Sequence, residues 1–170
     1  DSIPNDWKEK LESLGISMAV SPLHDMDEKK DKEKWTIDDV VRNGKHYKKP
    51  HYHVIYIARN PVTIESIRKK IKRKLGNNSV AHVEIIDSIK GAYEYLTHES
   101  KDAKAKNKHI YDKKDILYIN DFDIDRYITL VESKKRELRK ILTNIIDMYG
   151  GVNAKELRAF FNWRGTEFGV

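Results

Sequence analysis

The sequence predicts an α+β domain of the ferredoxin-like, split-βαβ type with an antiparallel sheet, followed by a small all-α segment. Three observations predict it. The elements run in the order α, β, β, α, β, α without internal repeats, the stretch KKPHYHVIYIARN (Lys48 to Asn60) reads as a strand, and from about residue 131 the apolar residues keep helical spacing. With 170 residues, 39% of them hydrophobic, the chain is long enough for one domain with a core and a small appendage.

Asn5 is placed to cap a short helix on which Trp7, Leu11 and Leu14 share a face, and Gly15 ends it. Ile16 to Val20 is an apolar strand that runs into Ser21-Pro22-Leu23-His24, and a charged loop, DMDEKKDKEKWTIDD, leads on to the next strand. That strand, His51 to Ala58, lies between Pro50 and Asn60-Pro61. Alternation sends His51, His53, Ile55 and Ile57 to one face and Tyr52, Val54 and Tyr56 to the other, with the two imidazoles about 6.7 Å apart along the chain. A strand apolar on both faces is expected inside a sheet. Thr63 then caps a helix with Ile64, Ile67, Ile71 and Leu75 inward, closed by Gly76, whose outward face carries Arg68, Lys69, Lys70, Lys72, Arg73 and Lys74. Val80 to Ile86 reads as a further strand, and Ser88 caps a helix running through GAYEYLTHESKDAKAK. This order lacks the first strand of a split βαβ unit, so a strand is expected ahead of residue 1; without it the histidine strand exposes one edge.

The expected boundary falls at 130/131. Leu138, Ile141, Leu142, Ile145, Ile146 and Tyr149 mark one amphipathic helix, Gly150-Gly151 breaks it, and Asn153 starts a shorter one with Leu157, Phe160 and Phe161. Two such helices cannot bury their apolar faces on each other alone, so they are expected to pack on the first domain, on another copy of the chain, or on sequence beyond Val170.

Composition narrows the chemistry. With 35% charged residues and a net charge of +6, the surface favours a polyanionic partner. The absence of cysteine excludes disulfides, thiolate metal sites and cysteine nucleophiles. No apolar run approaches a membrane span and no signal-peptide pattern opens the chain, so a cytoplasmic protein without membrane contact is expected.

Two consecutive strands joined by a loop usually pair antiparallel, which sets His24 and Asp25 or Asp27 beside His51 and His53. Three imidazoles and a carboxylate suit a divalent cation with positions left for water or a phosphate oxygen. On the later helix, Ile89, Tyr93 and Leu96 mark the buried stripe, which leaves Tyr95 either an ordinary boundary tyrosine, the reading helical pattern alone favours, or a side chain presented to a cleft. A phenol there could attack a phosphodiester and keep its bond energy for a later transfer, but only beside a metal that polarises the phosphate. Tyr111, downstream in NKHIYDKKD, could sit near the cleft, with a structural tyrosine the favoured reading. His46, His82, His98 and His109 lack metal spacing and read as surface or hydrogen-bonding groups, with His98 and Glu99 placed one turn beyond Tyr95 to help position DNA.

The segments SPLHDMD, KPHYHVIYIARNPVT, YEYLTHESKDAKAKNKHIYDKKDI and NDFDIDRYITL closely resemble the RepB-type replication initiators of rolling-circle plasmids, within the HUH endonucleases. The likeness runs from about Ile3 to Leu130. It implies that His24, Asp27, His51 and His53 hold Mn2+ or Mg2+, with Asp27 preferred over Asp25, and that Tyr95 is the nicking nucleophile. It also implies a metal-dependent nickase and strand transferase that binds a double-stranded origin, acts on a single-stranded hairpin loop, and keeps a 5′-phosphotyrosine while the freed 3′ hydroxyl primes synthesis. Phosphate contacts by residues 68 to 74 fit that substrate, against the plainer reading of a solvated face. The competing expectations are an HUH relaxase or transposase, a non-catalytic single-stranded nucleic-acid binding module, and a metallo-hydrolase using water. No host replication protein can be named as partner.

Overall fold

The computed structural model describes residues 3–149, with side chains as far as 144. The chain forms two compact units that divide between Asp125 and Arg126.

In the first unit, α1 (Trp7–Glu12) leads to β1 (Met18–Val20), and a hairpin of β2 (Val40–Arg42) and β3 (Lys45–Tyr47) precedes β4 (Val54–Tyr56). The helices α2 (Ile64–Leu75), α3 (Ile89–Tyr95) and α4 (Lys101–Ala105) follow, and then β5 (Leu117–Ile119). β1 is the centre of a three-stranded antiparallel sheet of order β4-β1-β5, with Met18 opposite Tyr56 and Ile119, and Val20 opposite Val54 and Leu117. Its three residues are all 0% exposed, as a strand covered on both edges and both faces must be. Leu11, Met18, Val20 and Ile119 form the core, with Trp7, Tyr52, Tyr56 and Leu75 packed against it. The helices α1 and α2 therefore cover that face, and alternation turns His51 and His53 to the opposite one.

Four local expectations need correction. Asp6, not Asn5, precedes α1, and it makes no side-chain cap bond. The histidine strand is not interior: among the described residues nothing pairs with its outer side, the exposed edge expected without a preceding strand, while β5, absent from the sequence reading, pairs with the other side of β1. Residues 80–86 form no strand; no neighbour among the described residues pairs their backbone, and Ile85 stays 80% exposed. The long helix after Ser88 is two helices. Ser88 caps α3 and Ser100 caps α4, each accepting a backbone N–H, from Gly91 and Ala103 respectively. Between them Glu99 N–H reaches Glu94 C=O at 2.8 Å and His98 N–H reaches Tyr95 C=O at 3.1 Å. This is a Schellman closure with His98 (φ 62°) in the left-handed position that glycine usually takes.

The helix α2 forms as expected: Thr63 Oγ1 accepts the Ser66 N–H at 3.2 Å, and Gly76 (φ 103°) ends it. The hairpin turns through Asn43 (φ 50°) and Gly44 (φ 75°), both left-handed, as a tight two-residue turn requires.

In the second unit α5 (Ile124–Tyr149) extends over 26 residues. Leu138 and Ile141 are exposed on it. The expected break at Gly150-Gly151 and the helix from Asn153 lie outside the described residues.

Candidate active site

The site starts from the ends of β1 and β4. Beyond the paired strands the chain continues extended, and His24 and His51 exchange backbone hydrogen bonds of 2.9 and 3.2 Å. His53 donates its N–H to Ser21 Oγ at 2.9 Å while its carbonyl accepts from Ser21 N–H. These bonds fix three imidazoles together: ring centroids lie 4.9 Å apart for His24 and His53, 5.6 Å for His24 and His51, and 5.0 Å for His51 and His53.

Each ring is oriented by what it donates to or leaves open. His24 Nε2 donates to the Leu96 carbonyl at 2.8 Å, and its buried Nδ1 has no partner. His51 Nδ1 donates to the Lys49 carbonyl at 2.9 Å, which frees Nε2 on the side of Asp27 Oδ2, 3.9 Å away. His53 Nε2 is buried and unpartnered, as is Asp27 Oδ1. A histidine that donates one nitrogen to a carbonyl and aims the other at empty polar space is the arrangement metal ligands adopt.

The electrostatics agree. Burial lowers His24 to about 4, and His53 to about 3, with the neighbouring His24 the next cause. Both are neutral, ligand-ready bases at pH 7. For Asp27 burial pushes upward, but the charges of Lys108, His98 and Lys48 outweigh it and hold the carboxyl below its ordinary value. Two groups have ligand atoms close enough to share one ion: His24 with His51 and His53, and His24 with Asp27 and His98. Neither group holds all four expected ligands: His24 is common to both, His51 Nε2 lies 3.9 Å from Asp27 Oδ2, and Asp27, not Asp25, is the buried carboxylate, Asp25 instead facing Arg42 at 3.6 Å.

Tyr95 comes to the same place from α3. Its ring lies 5.1 Å from that of His53 and 5.4 Å from that of His98, edge-on to both. Its hydroxyl accepts a hydrogen bond from Lys108 Nζ at 2.8 Å. Tyr93 points elsewhere, bonded to the Tyr118 hydroxyl and only half-buried, not fully in the core.

Three further residues stand in the site: His98 and Tyr111, which the sequence allowed near the cleft but not beside the metal cluster, and Lys108, which it did not single out. His98 is 0% exposed, its Nδ1 donates to the His109 carbonyl at 2.7 Å, and its Nε2 stands 3.6 Å from Asp27 Oδ1. Lys108 also donates to Asp27 Oδ2 at 3.3 Å. Tyr111 stacks on His24, with centroids 4.5 Å apart and planes within 5°, and its hydroxyl accepts the Met26 N–H at 3.0 Å. It thus braces the turn from His24 to Asp27, a structural role as expected, but inside the site. A hollow of about 360 Å³ opens beside it, lined among others by Trp7, Lys8, Ser21, Asp25, Tyr52 and Tyr111. Of the remaining histidines, His46 stacks on Trp35 at 3.7 Å and His82 is exposed beside Glu84.

The cationic residues of α2 lie away from this centre. Leu75 packs on the core face of the sheet, opposite the histidines, and Lys69, Lys70, Arg73 and Lys74 are exposed while Arg68 and Lys72 are partly covered.

An antiparallel sheet flanked by helices, carrying a His/Asp cluster able to take a divalent cation at its strand ends, defines a metal-dependent nicking enzyme of the HUH class. Comparison with known proteins narrows the class. Residues 1–125 match the family described as "Plasmid replication protein, origin binding domain". The chain is 49% identical over 170 residues to "Replication protein RepB" of Streptococcus agalactiae, covering all of this chain and 76% of that one. It is 29% identical over 157 residues to "Replication protein" of Staphylococcus aureus (92% and 68% covered), and 33% over 146 residues to "Replication protein RepB" of Lactiplantibacillus plantarum (85% and 56%). The chain belongs to this family of plasmid replication proteins, as an initiator of rolling-circle replication that acts on DNA. No helix among the described residues is long and apolar enough to cross a membrane.

Proposed function

We propose that this chain nicks one strand of its plasmid origin through Tyr95 and keeps the 5′ phosphate on that residue while the 3′ hydroxyl primes synthesis. One observation carries the reading: His24 Nδ1, His53 Nε2 and Asp27 Oδ1 are each buried without a hydrogen-bond partner, and the His53 ring lies 5.1 Å from that of Tyr95. His24, Asp27, His51 and His53 would hold the ion. Their mix of imidazole and carboxylate fits Mn2+, and Mg2+ less readily, since Mg2+ prefers oxygen ligands. When bound, such an ion polarises the scissile phosphate as a Lewis acid.

The protein's own groups do the rest. Tyr95 supplies the attacking oxygen: its bond to phosphorus forms as the bond from phosphorus to the 3′ oxygen breaks. The diester is exchanged for another, so the reaction needs no ATP and reverses to rejoin ends. Reaching the phosphorus requires an unpaired strand, which supports a single-stranded hairpin loop as the substrate, and the aromatic hollow by Tyr111 offers an unstacked base a surface to lie on. Duplex origin DNA is read elsewhere, with the cationic face of α2 supplying phosphate contacts. Residues 131–170 serve oligomerisation.

The Tyr95→Phe variant tests the assignment. It should lose nicking of a single-stranded origin oligonucleotide and form no covalent adduct, while its affinity for that DNA stays close to the parent's. Undiminished cleavage by this variant would refute the role of Tyr95. Retention of DNA without metal-dependent cleavage by the parent chain would favour the binding-module reading.

A further inference from the structure

Lys108 touches both halves of the site, the acid of the metal cluster and the tyrosine oxygen. Its Nζ donates to Tyr95 Oη at 2.8 Å and to Asp27 Oδ2 at 3.3 Å, and lies 4.9 Å from the centroid of the Tyr95 ring. The side chain is 17% exposed, so water screens these contacts little. Its backbone is fixed as well: Asn107 (φ 48°) turns the chain out of α4, and Lys108 N–H bonds the Ala103 carbonyl at 3.1 Å. Asp27 is divided between two duties, with Oδ2 taken by Lys108 and Oδ1 buried without a hydrogen-bond partner, 3.6 Å from His98 Nε2.

From this geometry we infer that Lys108 is a catalytic residue of both nicking and rejoining, holding the Tyr95 oxygen in place and countering the negative charge on it as it joins or leaves phosphorus. This rests on Tyr95 being the nucleophile. In nicking, the phenol gives up one proton and the departing 3′ oxygen takes one up; Lys108 keeps its three protons and supplies a hydrogen bond throughout. A preformed donor aimed at an oxygen whose charge changes in the transition state acts in both directions, because the same transition state is crossed each way. The shared carboxylate ties that donor to the metal cluster. Tyrosine oxygen and cation are thereby held in register by one acid.

The plainer role for Lys108 is to neutralise a buried Asp27, and the test separates the two. Single-turnover nicking and rejoining of a single-stranded origin oligonucleotide are measured for Lys108→Met and Lys108→Arg, with Mn2+ binding to each protein followed by calorimetry without DNA. Lys108→Met should slow both directions about 10²–10³-fold, the usual loss for one such donor. It should leave the ratio of the two rates, and Mn2+ affinity, within about threefold of the parent or tighter, since a cation competing for Asp27 has gone. Lys108→Arg, which keeps charge and donors, should recover about tenfold or more of the loss. A Lys108→Met protein that nicks at the parental rate overturns the inference. So does a loss that follows weakened Mn2+ binding and is restored by more Mn2+. If Lys108→Met does not fold, Lys108→Gln is judged by the same rates. Tyr95→Phe keeps the outcomes distinct: an active Tyr95→Phe removes the nucleophile itself, whereas an inactive one beside an active Lys108→Met removes only the role of Lys108.

Discussion

His24 and His53 show how a buried imidazole couples a site to the stability of its fold. Unfolded, each takes a proton near pH 6.5; folded, burial delays this to about 4 and about 3. Between those values the unfolded chain binds more protons, so acid favours unfolding. In chelator, the thermal midpoint should hold above about pH 6.5 and fall progressively towards pH 4, and Mn2+ at neutral pH should raise it. A midpoint that stays flat between pH 7 and pH 5 in chelator would contradict the buried, neutral state of these rings. The same scale shows what the sequence could reveal. The shared face of His51 and His53 was legible because strand alternation is a short-range rule, and His24 followed from antiparallel pairing, whereas helical phase alone left Tyr95 an ordinary boundary residue and its role came from the family resemblance. Spacing did not separate Asp27 from Asp25, which leave the same turn; the resemblance preferred Asp27, and Asp27 is the buried one. Lys108 and His98 were hidden for another reason: a lysine in a lysine-rich run carries no local mark, and His98 enters the site only through a left-handed turn that interrupts what reads as continuous helix.

At the scale of elements, stop and start signals worked where they acted on the backbone alone. Thr63, Gly76 and Ser88 mark the helix ends they were expected to mark. Replacing Thr63 by Ala removes the acceptor of the Ser66 N–H and should cost about 1 kcal/mol in a denaturant titration, with nicking unaffected. No measurable loss would mean that water serves that N–H equally well. The hairpin of β2 and β3 was legible and overlooked: Asn43-Gly44 between two short runs is a strong turn signal, masked by the surrounding lysines and aspartates. β5 is harder. Its three residues, Leu117 to Ile119, are too short for periodicity to register, and only the distant β1 makes them a strand. Residues 80–86 show the converse, since strand-forming side chains without a pairing partner do not make a strand.

Over the whole molecule, charge and topology divide the labour. The exposed cations of α2 sit on the helix covering the core face, and the histidines on the face beyond it. Affinity for origin duplex should therefore fall steeply with salt, and replacing Lys69, Lys70, Arg73 and Lys74 by Gln should flatten that dependence by about one unit of slope per lost phosphate contact. Nicking of a short single-stranded oligonucleotide should be unchanged by the same substitutions; an equal loss there would place the scissile strand on α2 instead. The sheet's arrangement has a further effect. His51 and His53 enter the site on the extended chain that leads into β4, whose outer edge no strand among the described residues covers. A border strand frays more readily than an enclosed one. Grip on a cation and closure of that border would then be one equilibrium: fraying would scatter the imidazoles and release it, and a bound cation would pin the border shut.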